Sequence, residues 1–354
     1  MLGFFLAALG SLLPNGAAFV IFLCPSGFDV LMCLFALQYF STWRELFTPD
    51  MSGNLEAALA YGRVLEFKDG EQGEAVLMLS FLKVTCLASA VVVAALVGHV
   101  GADRLSYLGP LFAPILIFIL VKQSDNPIKS GFWLLGAGAL ILFMIKGINV
   151  TSALPVLYMV LVSQPVEEPT KVVDGIQEIV IAKHHFVDYA LLGSLVALLP
   201  GMSASACLSI LKEKNQITAT LINSFGEGFA VGIILASRFT GKTAASELLS
   251  NWEFIPEPHH IVLGMFAFGA SILLQRKYVV WLERALDFKH SWQLSQAVTL
   301  SLAVFFASTN AWSLLFPGSG LLVGLAVVGL LKLVSLPVPQ EVRMLLVTIP
   351  VAVM

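Results

Sequence analysis

The stretch "YALLGSLVALLPGMSASACLSIL", residues 189–211, is a hydrophobic run with a proline inside it. Its "LLPG", Leu198 to Gly201, has a counterpart in the first run, "FFLAALGSLLPNGAAFVIFL" at residues 4–23, where Leu12 to Asn15 read "LLPN". Proline removes a backbone donor and clashes with the preceding turn, so each helix is expected to end or kink there. This pair of interruptions, one in each half of the chain, is the basis of our interpretation of the fold.

Composition indicates the class of protein. Of the 354 residues, 58% are hydrophobic and 12% are charged, whereas soluble globular chains carry about 25% charged residues. The mean hydropathy is +0.88. With apolar runs of helix length, these values predict an all-α polytopic membrane protein. The runs are continuously apolar rather than alternating, which disfavours an outer-membrane barrel.

Several of the apolar runs split at an internal Pro, Gly or Lys. We expect about nine to twelve hydrophobic segments, some of them too short to span a bilayer alone. The main runs are 1–24, 75–98, 105–121, 131–162, 186–211, 217–237, 261–275, 294–316 and 318–336.

A polar stretch, residues 164–185, divides the chain almost in half. Residues 1–163 are expected to form a first membrane repeat and residues 186–354 a second, with the polar stretch as a linker. Pro14 and Pro200 lie 186 residues apart, and each precedes small or apolar residues. Whether the copies are parallel or inverted depends on the number of segments per half, which the sequence leaves open. Such repeats are the usual construction of secondary transporters.

The paired breaks predict a substrate site between the repeats. Backbone groups freed in hydrocarbon persist only where protein or a water-filled cavity satisfies them. A half-helix that restarts after a break exposes N–H groups and a positive dipole end, which suits an anion. Ordinary kinking is the alternative, because proline is common in membrane helices. The predicted substrate-binding residues are Pro14, Asn15, Gly16, Lys146, Pro200, Gly201, Ser203 and Ser205.

Two polar residues within run 217–237 predict a coupling-ion site. Asn223 and Glu227 are four residues apart, so they share a face if the segment is helical. Gly226 and Gly228 flank Glu227 and permit close approach of backbone or ligand. We interpret Asn223 and Glu227 as the site of a coupling Na⁺ or H⁺. In the alternative, Gly-x-Gly is a loop tip that leaves Glu227 in water.

Two lysines also stand in apolar surroundings. Lys83 and Lys146 could each snorkel to a membrane interface, and Lys83 lies close to the start of its run. Lys146 precedes Gly147 and Asn149, so it could mark a further break and face an anionic substrate.

Other classes of function find little support in the sequence. No long basic run predicts nucleic-acid binding, and no Ser-His-Asp or paired-carboxylate pattern predicts an enzyme. The four cysteines lie in or beside apolar runs and are interpreted as small hydrophobic residues. Residues 41–74 and 275–290 are interpreted as loops, and the basic character of the second places it in the cytoplasm.

Dispersed motifs resemble the large membrane subunit of the tripartite tricarboxylate transporters, especially its shorter archaeal branch. "LLPN" and "LLPGMSAS" are similar to the Pro-Gly motifs of that family. "FGEGFAVG", residues 225–232, resembles its Phe-Gly-x-Gly segment, and "LLVTIPVAVM" its closing helix. The region of Thr48-Pro49, Ala58-Leu59, Gly70, Gly73 and Ala75 resembles a further family stretch. The chain departs from the family at Asn15, where glycine is usual, and at Val231, where the bacterial proteins carry an acid.

The resemblance implies a multi-pass protein of a prokaryotic, possibly archaeal, cell membrane. It implies uptake of a di- or tricarboxylate, with a soluble solute-binding protein and a small membrane subunit as partners, and a homo-oligomer is a further possible assembly. We expect a secondary transporter for an organic anion that is coupled to Na⁺ or H⁺ and needs no other cofactor. A translocase for a phosphorylated polyprenyl lipid carrier is the alternative, because such proteins also use duplicated Pro-Gly breaks. A membrane assembly subunit without transport is the third hypothesis.

Overall fold

The computed structural model describes a chain that is mostly helical. The residues it describes are 2–12, 20, 21, 23–47, 63–68, 70–106, 118, 121, 122, 127, 128, 131, 171–198, 216–237 and 254–286.

Helices dominate this part of the chain, and two short strands pair with each other. The helices are α1 Leu2–Gly10, α2 Gly27–Phe47, α3 Gln72–Ser106, α4 Gly175–Lys183, α5 Phe186–Leu198, α6 Gln216–Ser237, α7 Pro258–Leu273 and α8 Gln275–Leu286. The strands are β1 Arg63–Glu66 and β2 Lys171–Asp174.

Two of the described helices are long and apolar enough to cross a membrane, namely Gln72–Val97 within α3 and Ile217–Leu235 within α6. Two further pairs of helices pass the same test of length and composition together, but each is bent. The bend is 81° between α4 and α5, and 66° between α7 and residues Gln275–Trp281 of α8. Counting each bent pair as one span gives up to four candidate spans, which is compatible with a membrane location.

Helix α2 lies in the centre of the described helices, with α1, α3 and α7 packed against it. Helix α3 packs along α6, and α6 in turn packs against α5. The helices share one cluster of buried apolar side chains, which is rich in aromatic and branched residues. Among the residues that are almost fully buried are Leu31, Phe35, Tyr39, Phe40, Leu79, Leu87 and Phe225.

The start of α2 is fixed by local hydrogen bonds. Ser26 Oγ accepts from the Asp29 backbone N–H at 3.2 Å and donates to Asp29 Oδ2 at 2.7 Å. This arrangement satisfies one of the free donors in the first turn of a helix. Asp29 Oδ1 also accepts from the Gly3 backbone N–H at 3.0 Å, which ties α1 to the beginning of α2. A Cβ at Gly3 would overlap the Asp29 backbone, so only glycine allows this close approach.

The two strands correct the prediction of a purely helical chain. β1 and β2 pair in parallel, with Arg63 opposite Lys171 and Glu66 opposite Asp174. Their segments, "RVLE" and "KVVD", each place two apolar residues between two polar ones. β1 lies in the stretch interpreted as a loop, residues 41–74, and β2 lies in the stretch interpreted as a linker, residues 164–185. The two stretches are therefore paired through these strands. Residues 164–185 are therefore more than a linker, since they also contain α4.

Residues 275–290 were expected to form a loop, and this prediction is wrong for the described part. Helix α8 occupies Gln275–Leu286 directly after α7. Tyr278 anchors it, because its hydroxyl donates to the Phe40 carbonyl at 3.0 Å and lies 2.7 Å from Ser11 Oγ. The basic residues Arg276 and Lys277 are exposed beside this buried anchor.

Candidate functional site

Helix α2 carries a stripe of buried polar side chains. Gln38, Ser41, Thr42 and Glu45 are spaced by three, one and three residues, which places them on one side of the helix. Each is at most 6% exposed. Buried polar groups require partners, because an unpaired one costs the free energy of its lost hydration. These four residues therefore define a polar face that points into the bundle.

Lys83 of α3 is the main partner of this face. Its ammonium Nζ lies 2.9 Å from Glu45 Oε2 and 3.2 Å from Oε1, and it donates to Ser41 Oγ at 2.9 Å and to Thr42 Oγ1 at 3.2 Å. The Lys83 and Glu45 side chains are 3% and 5% exposed. This is a buried, hydrogen-bonded ion pair in which the ammonium has acceptors for all three of its protons.

The two hydroxyls are held in place by their own helix. Ser41 Oγ donates to the Leu37 carbonyl at 2.6 Å, and Thr42 Oγ1 donates to the Gln38 carbonyl at 2.7 Å. Because each hydroxyl donates its proton to a carbonyl of α2, only its lone pairs are available to accept a hydrogen bond from Lys83. The polar face is thus an array of oxygen acceptors arranged around one cation.

The alternative in which Lys83 snorkels does not match the structure, because its side chain is only 3% exposed and pairs with Glu45. Helix α3 begins at Gln72, eleven residues before Lys83, which is about 16 Å at the rise of an α-helix. That distance exceeds the reach of a lysine side chain, so Lys83 turns inward to Glu45. Glu45 was expected in a loop between residues 41 and 74, but α2 continues to Phe47 and buries it.

Polar contacts on either side of Gln38, one at its backbone and one at its side chain, connect the ion pair to α6. Thr42, which accepts from Lys83, donates to the Gln38 carbonyl, and the Gln38 side-chain Oε1 accepts from Ser224 Oγ at 2.8 Å. Ser224 follows Asn223 and precedes Glu227 by nearly one turn of α6. A continuous set of polar contacts therefore runs from Glu45 to the helix that carries the predicted coupling residues.

Asn223 and Glu227 lie within the uninterrupted helix α6, so the alternative of a Gly-x-Gly loop tip is wrong. Both residues are half-buried. Next to Glu227, a Cβ at Gly228 would overlap the Leu87 backbone of α3. Leu87 is one turn beyond Lys83, so the contact of α6 with α3 at Gly228 lies one turn along α3 from the ion pair, at the junction of α2, α3 and α6. Their role in ion coupling remains a prediction.

The remaining predicted site residues lie outside the described part of the chain. They are Pro14, Asn15, Gly16, Lys146, Pro200, Gly201, Ser203 and Ser205. The interpretation of cysteines as small buried residues is confirmed for Cys24, Cys33 and Cys86, which are free and buried. In the ranges that the structure describes, no group of three His, Cys, Asp or Glu residues could hold a metal ion.

The junction can hold and exchange charge. It combines the buried Lys83–Glu45 pair with hydroxyl and amide groups of α2 and α6, and the half-buried Glu227 lies on α6 one residue before the contact with α3. Ionisable residues in such surroundings are costly and are commonly part of ion or substrate pathways. An array of this kind can take up a proton at a carboxylate, or accept an anion at the lysine once its own carboxylate is neutralised.

Sequence analysis did not identify Glu45 as the buried partner of Lys83. One signal for them exists in "FALQYFSTWRELF", residues 35–47. Its polar residues recur at 38, 41, 42 and 45, the spacing of one helix face, within a segment rich in aromatics. The partner is 38 residues away on another helix, and no local pattern indicates which face meets it.

Comparison with known proteins found no matching family model, no matching curated protein and no matching solved structure.

Proposed function

We propose that this chain is a polytopic membrane transporter for an organic anion of the di- or tricarboxylate class, coupled to a cation gradient. The observation that carries the proposal is the buried Lys83–Glu45 pair. Its lysine lies near the middle of a helix able to span a membrane. A cation in this position can bind an anionic solute, and neighbouring carboxyl groups can bind a cation. The resemblance to the tricarboxylate transporter family agrees with this substrate class.

The proposal includes two structural repeats, 1–163 and 186–354. Ser224 and Gln38 are hydrogen-bonded and 186 residues apart, which is also the separation of Pro14 and Pro200. The same shift carries the first residue of α3, Gln72, onto the first residue of α7, Pro258.

The packing of helices supports the repeats as well. A shift of 186 residues carries most of α2 onto α6, and α1 falls within α5. Helix α1 packs on α2 as α5 packs on α6, and α2 packs on α7 as α3 packs on α6. A two-fold relation between the copies produces this crossed packing. If α2 packs on the counterpart of α3, then α3 must pack on the counterpart of α2. Gln38 and Ser224 would be equivalent residues that meet at the axis.

Within this arrangement, we retain the sequence-based assignment of roles. The substrate would bind between the repeats near the two prolines, and Asn223 and Glu227 would contribute to coupling. The site is thus placed where the second repeat's α6 meets the first repeat's α2 and α3.

Uptake into liposomes tests the proposal. Purified full-length protein is reconstituted, and the uptake of labelled succinate, citrate and a short-chain polyprenyl phosphate is measured under an inward Na⁺ or H⁺ gradient. We expect gradient-dependent uptake of at least one carboxylate, and Glu227→Gln is expected to abolish the dependence while the protein still inserts. Selective translocation of the lipid phosphate would instead support the translocase. Absence of both activities would contradict transport.

A further inference from the structure

The Lys83–Glu45 pair has a feature that the assignment of coupling to Asn223 and Glu227 does not use. Its two charges cancel, and both side chains are almost completely removed from solvent. A buried ammonium without an anionic partner is strongly disfavoured, because burial removes its hydration and nothing replaces it. Lys83 therefore requires one negative charge beside it whenever it is protonated.

We propose that Glu45 and Lys83 form a proton–anion exchange unit, in which protonation of Glu45 releases Lys83 to bind one carboxylate of the substrate. The inference rests on the proposed function and specifies how its substrate and its coupling ion are linked. The ligand of the unit is a carboxylate anion together with one proton.

Charge balance defines two allowed states of the unit. In the first, the Glu45 carboxylate neutralises Lys83, with no proton and no substrate bound. In the second, a proton from the aqueous phase forms an O–H bond on a Glu45 carboxyl oxygen, and the substrate carboxylate takes over the negative charge beside Lys83. The bond that breaks in the forward step is the one that held this proton in a hydronium ion or buffer acid, and release of substrate returns the proton to water. The intermediate states leave a buried charge unpaired and are disfavoured.

The hydroxyl groups allow Lys83 to change partners. Ser41 Oγ and Thr42 Oγ1 accept from Nζ, and both are fixed by hydrogen bonds to carbonyls of α2. They hold the ammonium in place while Glu45 loses its charge. The cation therefore stays in the same position in both states, and only the identity of the carboxylate beside it changes.

The unit occurs once in the described part of the chain. At the 186-residue shift that relates Gln38 to Ser224, Glu45 corresponds to Val231 and Lys83 to Gly269. Neither counterpart can carry a charge. The proposed stoichiometry is therefore one proton for each anion bound at Lys83, rather than two.

Other titratable groups occur on the helices packed around α2 and α3. On α6, Glu227 is the acid beside the contact of Gly228 with Leu87. Because it could take up a proton as well, Glu227→Gln is measured in parallel to divide the proton uptake between the two carboxyl groups. In the described helices and their ends, these groups include Cys24, Asp29, Cys33, Tyr39, Glu74, Cys86, Glu178, Lys183, His184, His185, Asp188, Tyr189, Glu227, Glu257, His259, His260, Arg276, Lys277 and Tyr278.

Calorimetric proton counting tests the inference. Succinate and citrate are titrated into the purified full-length protein near neutral pH, in buffers of different ionisation enthalpy, so that protons taken up per anion bound are obtained. The wild type is expected to take up one proton at this unit per anion bound. Glu45→Gln is expected to bind the anion with that proton uptake lost, because the amide leaves Lys83 without a carboxylate of its own. Glu74→Gln, an exposed acid on α3, is the matched control and is expected to behave as the wild type.

The double variant Glu45→Gln/Lys83→Met tests the inference even if the single variant does not fold, because it removes both charges of the pair. It is expected to lose anion binding by at least about tenfold while remaining monodisperse. Wild-type binding without proton uptake, or binding by the double variant at wild-type affinity, would overturn the exchange unit alone. If the wild type binds and transports neither carboxylate, the proposed function fails and the unit with it.

Discussion

At the scale of single residues, Lys83 and Glu45 stand out, because each would be strongly destabilising without the other. Their attraction is offset by the loss of hydration of both charges, so the pair itself adds little net stability. We therefore expect the pair to contribute little to the stability of the fold.

This account predicts different stabilities for single and double variants of the pair. Lys83→Met or Glu45→Gln alone should lower the free energy of unfolding by about 3–5 kcal/mol, because each leaves a buried charge uncompensated. The double variant Glu45→Gln/Lys83→Met should recover most of that loss. Thermal or denaturant unfolding in detergent, with Glu74→Gln as the control, measures these differences. A double variant as unstable as the sum of the two singles would contradict a pair that is neutral for folding.

Part of this site was predictable from its residues. The helical face shared by Asn223 and Glu227 follows from a four-residue spacing, which is local information, and α6 confirms the helix. Lys83 was noticed as a charge in an apolar run, but its direction depends on where α3 begins and on what α2 presents. Glu45 was assigned to a loop as part of the stretch 41–74. Long-range pairing of this kind cannot be derived from one helix's pattern.

At the scale of elements, the contact between α3 and α6 depends on glycines. A Cβ at Gly228 or Gly232 would overlap the backbone at Leu87 or Val91, so two turns of α6 lie directly against α3. Small residues allow such close approach between membrane helices, where packing rather than hydrophobicity drives association. The sequence showed these glycines, and we interpreted those beside Glu227 as room for a backbone or ligand. The structure gives Gly228 a helix backbone as its neighbour.

The glycine contact gives a prediction at this scale. Gly228→Ala should destabilise the protein by about 1–3 kcal/mol, because the added methyl group forces α3 and α6 apart. Gly269→Ala is the matched control, since its Cβ would meet nothing within 4 Å, and alanine is the better helix former by about 1 kcal/mol. Unfolding of both variants in the same detergent provides the comparison. Equal stabilities would indicate that α3 and α6 do not lie in direct contact.

At the scale of the whole molecule, a central α2 and the paired packing of α1–α2 with α5–α6 are consistent with two related halves. The class of a mostly helical chain with membrane-length segments was predictable, because composition and run length determine it. The pairing of β1 with β2 was not predictable, since short polar strands carry little periodic signal. A complete structure in which residues 1–163 and 186–354 fail to superpose with a shift near 186 would contradict the repeats.

The most direct test of the account is accumulation of a labelled carboxylate, with succinate and citrate each measured in sealed proteoliposomes under an inward proton gradient. The wild type and the double variant Glu45→Gln/Lys83→Met are compared at equal amounts of inserted protein. The account predicts that the wild type accumulates at least one of the two above its external concentration and loses this on collapse of the gradient, while the double variant does not accumulate it. Equal accumulation by both proteins, or none by the wild type, would contradict transport through the junction of α2, α3 and α6.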